Sequence, residues 1–258
     1  MTVTELLADP PKLHAFKQTP GTPEGLFKEG ELINRWKLSD EELLFIEKNI
    51  SKSSKTIETG AGCSTIIFAL KEANHTCIVP DRALTERIIA FCKKNGISTS
   101  GLNFIIQPSE RALPEIKERG FDLALIDGRH GFPQPFLDWY YTAELLKIGG
   151  FVVIDDLHVW ACETLLNFLI EEKKDWALVH ESLGGCAFKK LGDGTQFSDF
   201  DAQPYVARRS RQFSFQAKIR YLLDLLKRGN TDLFFSTLKL GAQSAIAGKF
   251  GERPKGRR

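Results

Sequence analysis

The feature that most restricts the fold is a glycine-containing turn that joins an apolar strand to an apolar helix in the first third of the chain. Glu58 ends the predicted strand. Gly60 and Gly62 form the turn, where the missing side chain permits backbone conformations closed to other residues and lets a ligand approach the main chain. Ser64 or Thr65 is expected to cap the helix, whose free N–H groups favour an anionic group in the turn. This pattern predicts a nucleotide-type cofactor site if a βαβ unit surrounds it.

Short apolar runs alternate with helical patterns from this turn onward. Five runs are expected to be parallel strands, at residues 55–58, 75–79, 103–107, 121–126 and 151–154. Helices are expected after the later strands, at residues 85–95, 113–119, 135–146 and 161–173, with Gly149 and Gly150 separating the third helix from the fifth strand. Two last strands, at residues 176–181 and 186–190, have no helix between them and predict an antiparallel hairpin at one sheet edge. The alternation predicts an α/β fold, a doubly wound parallel sheet with helices on both faces.

The length suits one α/β domain with an extension, or two small domains. We expect a lead-in segment at residues 1–38, which covers the mouth of a cofactor or substrate site, a central domain at residues 39–191 and an extension at residues 192–258. The central domain begins at Ser39, which with Glu42 forms the capping-box pattern of a helix start.

The C-terminal extension is basic. Residues 201–258 contain 13 Lys and Arg against four Asp and Glu, so 22 of the chain's 35 basic and 29 of its 33 acidic residues lie in the first 200 positions. A polar linker at residues 192–211, helices near 215–228 and 232–247 and a disordered end are expected. The charge favours an anionic partner, although a solvated helical face explains it equally, and the helices are candidates for a homodimer contact. No RNA-binding module is recognisable.

The composition favours a cytoplasmic protein. Five cysteines are scattered without a Cys-x-x-Cys pair, which is typical of reduced, buried thiols. The first residues lack a basic segment followed by an apolar core, so no signal peptide is predicted. No apolar run approaches the roughly 20 residues of a transmembrane helix.

The turn carries a family resemblance. Residues 58–65 read Glu-x-Gly-x-Gly-x-Ser-Thr, which resembles the first motif of class I S-adenosyl-L-methionine (SAM) methyltransferases. A dinucleotide site would prefer Gly-x-Gly-x-x-Gly, and Thr65 stands at the third glycine position. The resemblance covers about residues 40–191. It implies a Rossmann-like fold of five parallel strands with a terminal antiparallel hairpin.

The resemblance also implies a cofactor site at the carboxyl ends of the strands. There Glu58 would face the amino group of SAM, Asp81 would accept the ribose hydroxyls and Ser109 would contact the adenine. The expected SAM-binding set is Glu58, Gly60, Ala61, Gly62, Ser64, Thr65, Asp81, Ser109 and Asp127.

A second motif, Ile-Asp-Gly-x-His at residues 126–130, is similar to methyltransferase family 24. The same layout resembles metal-dependent O-methyltransferases of the catechol and caffeoyl-CoA type. That resemblance implies that Asp127, Asp155 and Asp156 hold Mg²⁺ or Mn²⁺, with Asp156 in place of the usual Asn. Hard cations suit such oxygen ligands, and His130 and His158 would shift the preference towards Mn²⁺, Fe²⁺ or Zn²⁺ if they joined the set. The acids can equally bind SAM or hold loops without a metal.

His130 and His158 are the candidate general bases, because histidine titrates near neutral pH. Asp127 is the third candidate catalytic residue, and a structural role is open for either histidine. The remaining histidines, His14, His75 and His180, lie in no motif and are expected to be structural.

Together these resemblances imply a SAM-dependent methyltransferase that acts on an oxygen of a small-molecule acceptor, with a divalent metal as an option. One alternative is N-methylation without a metal. The other is a non-catalytic binding protein whose basic C-terminal region contacts RNA, a membrane surface or another polypeptide.

Overall fold

A computed structural model describes residues 1–18, 27–34 and 37–239 of the chain. The disordered end expected at residues 252–258, and the expected helix beyond residue 239, lie outside these ranges. The chain divides into two compact units, a first unit at Met1–Asp199 and a second unit at Phe200–Arg258. The finer domain boundaries at residues 38 and 191 stay a prediction.

The first unit is built on a seven-stranded sheet with a small separate ribbon. The ribbon pairs β1 (His14–Ala15) with β2 (Leu32–Ile33) in antiparallel fashion. The sheet contains β3 (Lys55–Thr59), β4 (Asn74–Ile78), β5 (Leu102–Ile105), β6 (Phe121–Ile126), β7 (Leu146–Ile154), β8 (Trp176–Glu181) and β9 (Cys186–Lys190). Its spatial order is β5-β4-β3-β6-β7-β9-β8. The first five strands are parallel and β9 is antiparallel to both neighbours, which confirms the predicted sheet and hairpin.

Two helices precede the seven-stranded sheet in the chain, and the other helices of the first unit connect its strands. The helices are α1 (Val3–Ala8), α2 (Asp40–Asn49), α3 (Cys63–Leu70), α4 (Arg82–Lys94), α5 (Ser109–Ala112), α6 (Gln134–Leu145) and α7 (Trp160–Glu171), with 3₁₀ turns at Leu113–Glu115 and Thr195–Phe197. The α2 helix starts at the predicted capping box, in which Ser39 and Glu42 bond each other's backbone N–H. Helix α3 is buried along almost its whole length, from Cys63 to Ala69, as expected for a helix packed inside a domain.

The lead-in segment packs onto the domain. Val3, Leu6 and Leu13 are buried in the same apolar cluster as Ile66 and Ile67 of α3. Burial of a leucine or isoleucine side chain stabilises a fold by roughly 1.5–3 kcal/mol. The first residues are therefore part of the core of the unit.

Three local predictions are wrong. Helix α4 begins three residues before the expected start, because the Asp81 carboxylate accepts the Leu84 N–H and caps it. The helix expected at residues 113–119 is instead α5 followed by a 3₁₀ turn. Gly149 and Gly150 lie inside β7, where a register shift in its pairing with β6 accommodates them.

The second unit is helical. Helix α8 spans Pro204–Lys227, and residues 231–239 are helical as well. The polar linker predicted at residues 192–211 is therefore too long, because helix α8 already begins at Pro204. Proline is compatible with the first turn of a helix. Among the residues that the structure describes, no helix is both long enough and apolar enough to cross a bilayer.

The order of the strands determines where a ligand binds. Strand β3 has β4 on one side and β6 on the other, so the chain reverses its direction of winding at β3. In open α/β sheets ligands bind outside the carboxyl ends of the strands at such a switch point. The glycine turn after β3 and the acidic residues after β4, β6 and β7 all lie at that edge.

Candidate cofactor and catalytic site

The glycine turn packs against the end of β6. Gly60 has φ +96°, and a Cβ there would lie 2.0 Å from the backbone oxygen of Asp127. Gly62 behaves differently: its φ of 174° is extended, so the predicted conformational requirement at this position is wrong. Its requirement is spatial, because a Cβ would lie 3.3 Å from Nε2 of His14.

Glu58 lies beneath this turn in a buried hydrogen-bond network. The Ser64 hydroxyl donates to Glu58 Oε2 at 2.7 Å, and the Thr65 hydroxyl donates to Oε1. Nε2 of His75 lies 3.0 Å from Oε1. All four side chains are buried. The carboxylate therefore joins the end of β3 to the start of α3.

Thr65 also completes the start of α3. Its Oγ1 accepts the backbone N–H of Gly62 at 3.0 Å. Because Gly62 is the N-cap and α3 begins at Cys63, the prediction that Ser64 or Thr65 caps the helix is wrong, and both residues lie in its first turn. The side chains of Ser64 and Thr65 both hydrogen-bond to Glu58 in this network. The expected contacts of these three residues with SAM stay predictions.

Asp81 and Ser109 lie after the next two strands, β4 and β5. Besides capping α4, Asp81 has Oδ2 3.6 Å from Nη2 of Arg87. Ser109 accepts a hydrogen bond from Nε2 of Gln134 at 2.9 Å, and the same amide donates to Asp138 Oδ1 at 2.8 Å. Burial raises the pKa of the Asp138 carboxyl. Sequence reasoning missed Gln134 and Asp138, although two polar residues four apart lie on the same face of a helix, which is a usable signal.

An acid and histidine cluster lies where β6 and β7 end side by side. Nδ1 of His130 is 2.9 Å from Asp156 Oδ2, and its Nε2 is 3.9 Å from Asp127 Oδ1. His158 Nδ1 is 3.5 Å from Asp156 Oδ1, but the His158 side chain is 74% exposed. The cluster thus brings one predicted base, His130, between two predicted metal ligands and leaves the other at its rim.

One ligand atom from each of Asp127, His130 and Asp156 lies within 4.8 Å of the other two. Asp155, the third acid of the predicted metal set, is not in this group. It is buried, whereas Asp156 adopts a positive φ of 58° that turns it towards His130.

The three carboxyl groups titrate differently. Burial, and then the charges of Asp155, Asp156 and Glu58, raise the pKa of Asp127 well above its ordinary value. Burial raises the pKa of Asp155 to about 6. The hydrogen bond from His130 lowers the pKa of Asp156. Asp156 is therefore the carboxylate that remains charged, and the two buried acids resist ionisation.

The comparisons with known proteins concern the domain that carries this site. Residues 57–157 match the family described as "Methyltransferase domain" (Methyltransf_24). The chain contains a SAM-dependent methyltransferase domain. No curated protein matches the chain.

Solved structures similar to this methyltransferase show the shared fold. One is the O-methyltransferase TomG from Streptomyces achromogenes in complex with SAM, at 14% identity and a TM-score of 0.52 over 62% of this chain and 84% of that chain. Another is a putative caffeoyl-CoA O-methyltransferase from Staphylococcus aureus, at 15% identity and a TM-score of 0.51 over 60% of this chain and 85% of that chain.

Two exposed aromatic side chains flank the acid and histidine cluster of the methyltransferase. Phe132 follows His130 by two residues, and Trp160 follows His158 by two. Both are about two-thirds exposed, and their ring centroids are 5.7 Å apart. By contrast Trp139 is buried against Phe168. The exposed pair could not be identified from the sequence, because exposure is not written in a local motif.

We expect the buried acids to make the methyltransferase less stable at neutral pH. A carboxyl whose pKa rises on folding contributes stability below its unfolded value of 3.8, and this is lost as the pH rises through about 6. Asp155→Asn in metal-free buffer should therefore raise the free energy of unfolding at pH 7 by about 1–3 kcal/mol. At pH 3.5 the gain should vanish.

Urea unfolding at both pH values measures this effect. Asp9→Asn, which removes the same charge at an exposed position, is the matched control. A gain that is the same at both pH values would contradict the assignment.

Proposed function

We propose that this methyltransferase transfers the methyl group of SAM to an oxygen of a small-molecule acceptor, at the edge of the sheet where β3, β4, β6 and β7 end. The single observation that carries this proposal is the convergence of His130 and two carboxylates beside the glycine turn. Such a cluster provides what methylation of a hydroxyl needs beyond SAM itself, which is a means to remove a proton.

The assigned cofactor contacts follow from the position of each residue. The backbone of Gly60, Ala61 and Gly62 lines the turn, and glycine there permits close approach. Asp81 lies partly exposed beyond β4, where its carboxylate can accept the two ribose hydroxyls. Ser109 lies beyond β5, next along the edge.

The chemistry assigned to His130 depends on its tautomer. Asp156 accepts a hydrogen bond from Nδ1–H, which leaves the lone pair of Nε2 available. Nε2 is buried and forms no hydrogen bond within the described part of the chain. It faces Asp127 at 3.9 Å, so an acceptor hydroxyl between them could lose its proton to Nε2.

The same three groups also fit a divalent cation. Two carboxylate oxygens and one imidazole nitrogen suit Mn²⁺ better than Mg²⁺, because imidazole is a softer ligand than oxygen. When bound, such a cation lowers the pKa of an acceptor hydroxyl and compensates the repulsion between the carboxylates. Asp127, His130 and Asp156 are the residues that would hold it.

The cofactor assignment is tested by calorimetry with SAM and S-adenosylhomocysteine. The unaltered chain should bind both, and Asp81→Ala should weaken both by at least about tenfold, since two charge-assisted hydrogen bonds are lost. Arg87 and the α4 cap are also disturbed in that variant, so Asp81→Asn, which can still cap α4, is the companion. Equal affinity for SAM in the unaltered chain and both variants would contradict the ribose assignment.

The cation assignment is tested by titrating Mn²⁺ and Mg²⁺ into the full chain while the unfolding temperature is followed. Mn²⁺ should raise the unfolding temperature more than Mg²⁺, and His130→Gln should remove that difference. His158→Gln, an exposed histidine nearby, is the control. No stabilisation by either ion would contradict the cation, and His130 would then act as the base alone.

The acceptor class is tested with radiolabelled SAM and a panel of hydroxy and amino compounds. Methyl transfer to hydroxy compounds, lost in His130→Gln, would support O-methylation. Transfer to amines alone would favour N-methylation without a metal.

A further inference from the structure

A short stretch of the lead-in segment, residues 13–16, lies directly on the glycine turn. Leu13 and Phe16 are buried and His14 is half-buried between them. These residues precede the methyltransferase-domain match at 57–157 by about 40 positions. The contact therefore adds a residue to the edge of the sheet that the family motifs do not include.

His14 meets two parts of the cofactor site at once. On one side its Nε2 faces Gly62, and a Cβ at position 62 would lie in tight contact with that nitrogen, at 3.3 Å. On the other side it lies close enough to Arg87 and Asp81 for their charges to act on it. Since Gly62 and Asp81 are the assigned contacts for SAM, the imidazole lies between the methionine end and the ribose end of the assigned site.

The position of His14 is held by the main chain beside it. Nε of Arg87 donates a hydrogen bond to the backbone oxygen of Leu13 at 2.5 Å, and Nη2 of the same guanidinium lies 3.6 Å from Asp81 Oδ2. One arginine therefore links the backbone next to His14 to the assigned ribose ligand. The buried side chains of Leu13 and Phe16 anchor the stretch on either side of the imidazole.

The chemistry of His14 suits a cationic cofactor. Burial, and then the neighbouring Arg87, lower the pKa of its imidazole, so the ring is neutral at pH 7. A neutral imidazole offers one donor and one acceptor and does not repel the sulfonium of SAM. An apolar ring of the same size would fill the space without either hydrogen bond.

We propose that His14 is a SAM-binding residue, which the lead-in segment contributes as a wall of the cofactor site over Gly62, and that Arg87 positions it. This inference rests on the proposed cofactor site. It predicts that SAM affinity depends on the hydrogen-bonding capacity of residue 14 and not on its bulk.

Calorimetry of the full chain with SAM tests the proposal. His14→Phe keeps a ring and removes the hydrogen bonds, and should weaken SAM binding by about tenfold, as expected for one lost hydrogen bond to a ligand. His14→Gln keeps a donor and an acceptor and should stay within about threefold of the unaltered chain. His180→Phe, a histidine on β8 that stacks on Phe45, is the matched control and should not change the affinity.

A second measurement separates binding from packing. Urea unfolding without SAM measures the effect of each His14 variant on the fold, so that a loss of SAM affinity can be separated from a loss of stability. Arg87→Met should also lower the affinity for SAM. In the double variant with His14→Phe, the fold-loss of affinity should be smaller than the product of the two single fold-losses, because both substitutions act through the same contact.

Three results would overturn the inference. Unchanged SAM affinity in His14→Phe, together with weakened binding in Asp81→Ala, would leave the proposed function intact and refute the role of His14. Equal losses of SAM affinity in His14→Phe and His14→Gln would show that His14 acts through packing and not through hydrogen bonds to SAM. Failure of the unaltered chain to bind SAM would refute the cofactor site and the inference together.

Discussion

Replacing Gly60 with alanine is expected to lower the free energy of unfolding by about 4 kcal/mol and to abolish measurable SAM binding. An alanine at φ +96° carries a backbone penalty of about 1–3 kcal/mol. Its Cβ would also lie 2.0 Å from the carbonyl oxygen of Asp127, and overpacking of this kind typically adds about 1–3 kcal/mol. Neither the backbone of the turn nor the Asp127 carbonyl group can rotate away by a change of side-chain rotamer, because both belong to the main chain. The turn would have to move away from β6, and the assigned cofactor site would move with it.

Urea unfolding and calorimetry measure both effects. Gly96→Ala is the matched control, because Gly96 also has a positive φ, +67°, but a Cβ there would meet no atom within 4 Å. It should cost only about 1–2 kcal/mol, the penalty of the conformation alone. If the two variants lost equal stability, the close approach between the turn and Asp127 would not be the reason for glycine at position 60.

Replacing Glu58 with alanine is expected to lower the free energy of unfolding by about 3–5 kcal/mol. The substitution leaves the hydroxyls of Ser64 and Thr65 buried without their acceptor and removes the carboxylate that lies 3.0 Å from Nε2 of His75. A buried polar group that loses its partner costs about 1–3 kcal/mol, and removing one member of a buried charged network costs about 3–5. Because the network holds the first turn of α3, SAM affinity should fall as well.

The matched control is Glu144→Ala. Glu144 pairs with Arg119, but both side chains are more than 40% exposed. Exposed ion pairs contribute about 0–1 kcal/mol, so this variant should lose little stability. Glu58→Gln, whose amide oxygen can still accept one hydroxyl, should fall between the two. A loss in Glu58→Ala no larger than that in Glu144→Ala would show that the buried network does not hold α3.

Much of the fold could be predicted from the sequence because its signals are local. The strands β3, β6 and β9 are short apolar runs bounded by turn residues, and each was predicted to within a residue. The start of α2 was readable because a capping box is formed by residues only three apart, Ser39 and Glu42. The convergence of the acidic residues was also predictable, since the carboxyl ends of parallel strands meet at one edge.

Features that depend on residues distant in sequence could not be predicted. Gly150 reads as a helix-breaking signal, yet it lies inside β7, where a Cβ would crowd the carbonyl oxygens of Phe121, Asp122 and Lys147. Helix α8 begins before its first strongly apolar turn, so periodicity placed its start too late.

The candidate functional site also has features that the sequence predicts and features that only the structure shows. The amino-acid sequence by itself determined that this chain is a methyltransferase with a glycine turn and acids at its strand ends, because those signals follow the order of residues along the chain. Only the tertiary structure decided that His130 lies beside Asp127 and Asp156, and that His14 lies on Gly62. These pairings require side-chain directions and contacts between segments far apart in sequence, which depend on how the elements pack and not on local pattern.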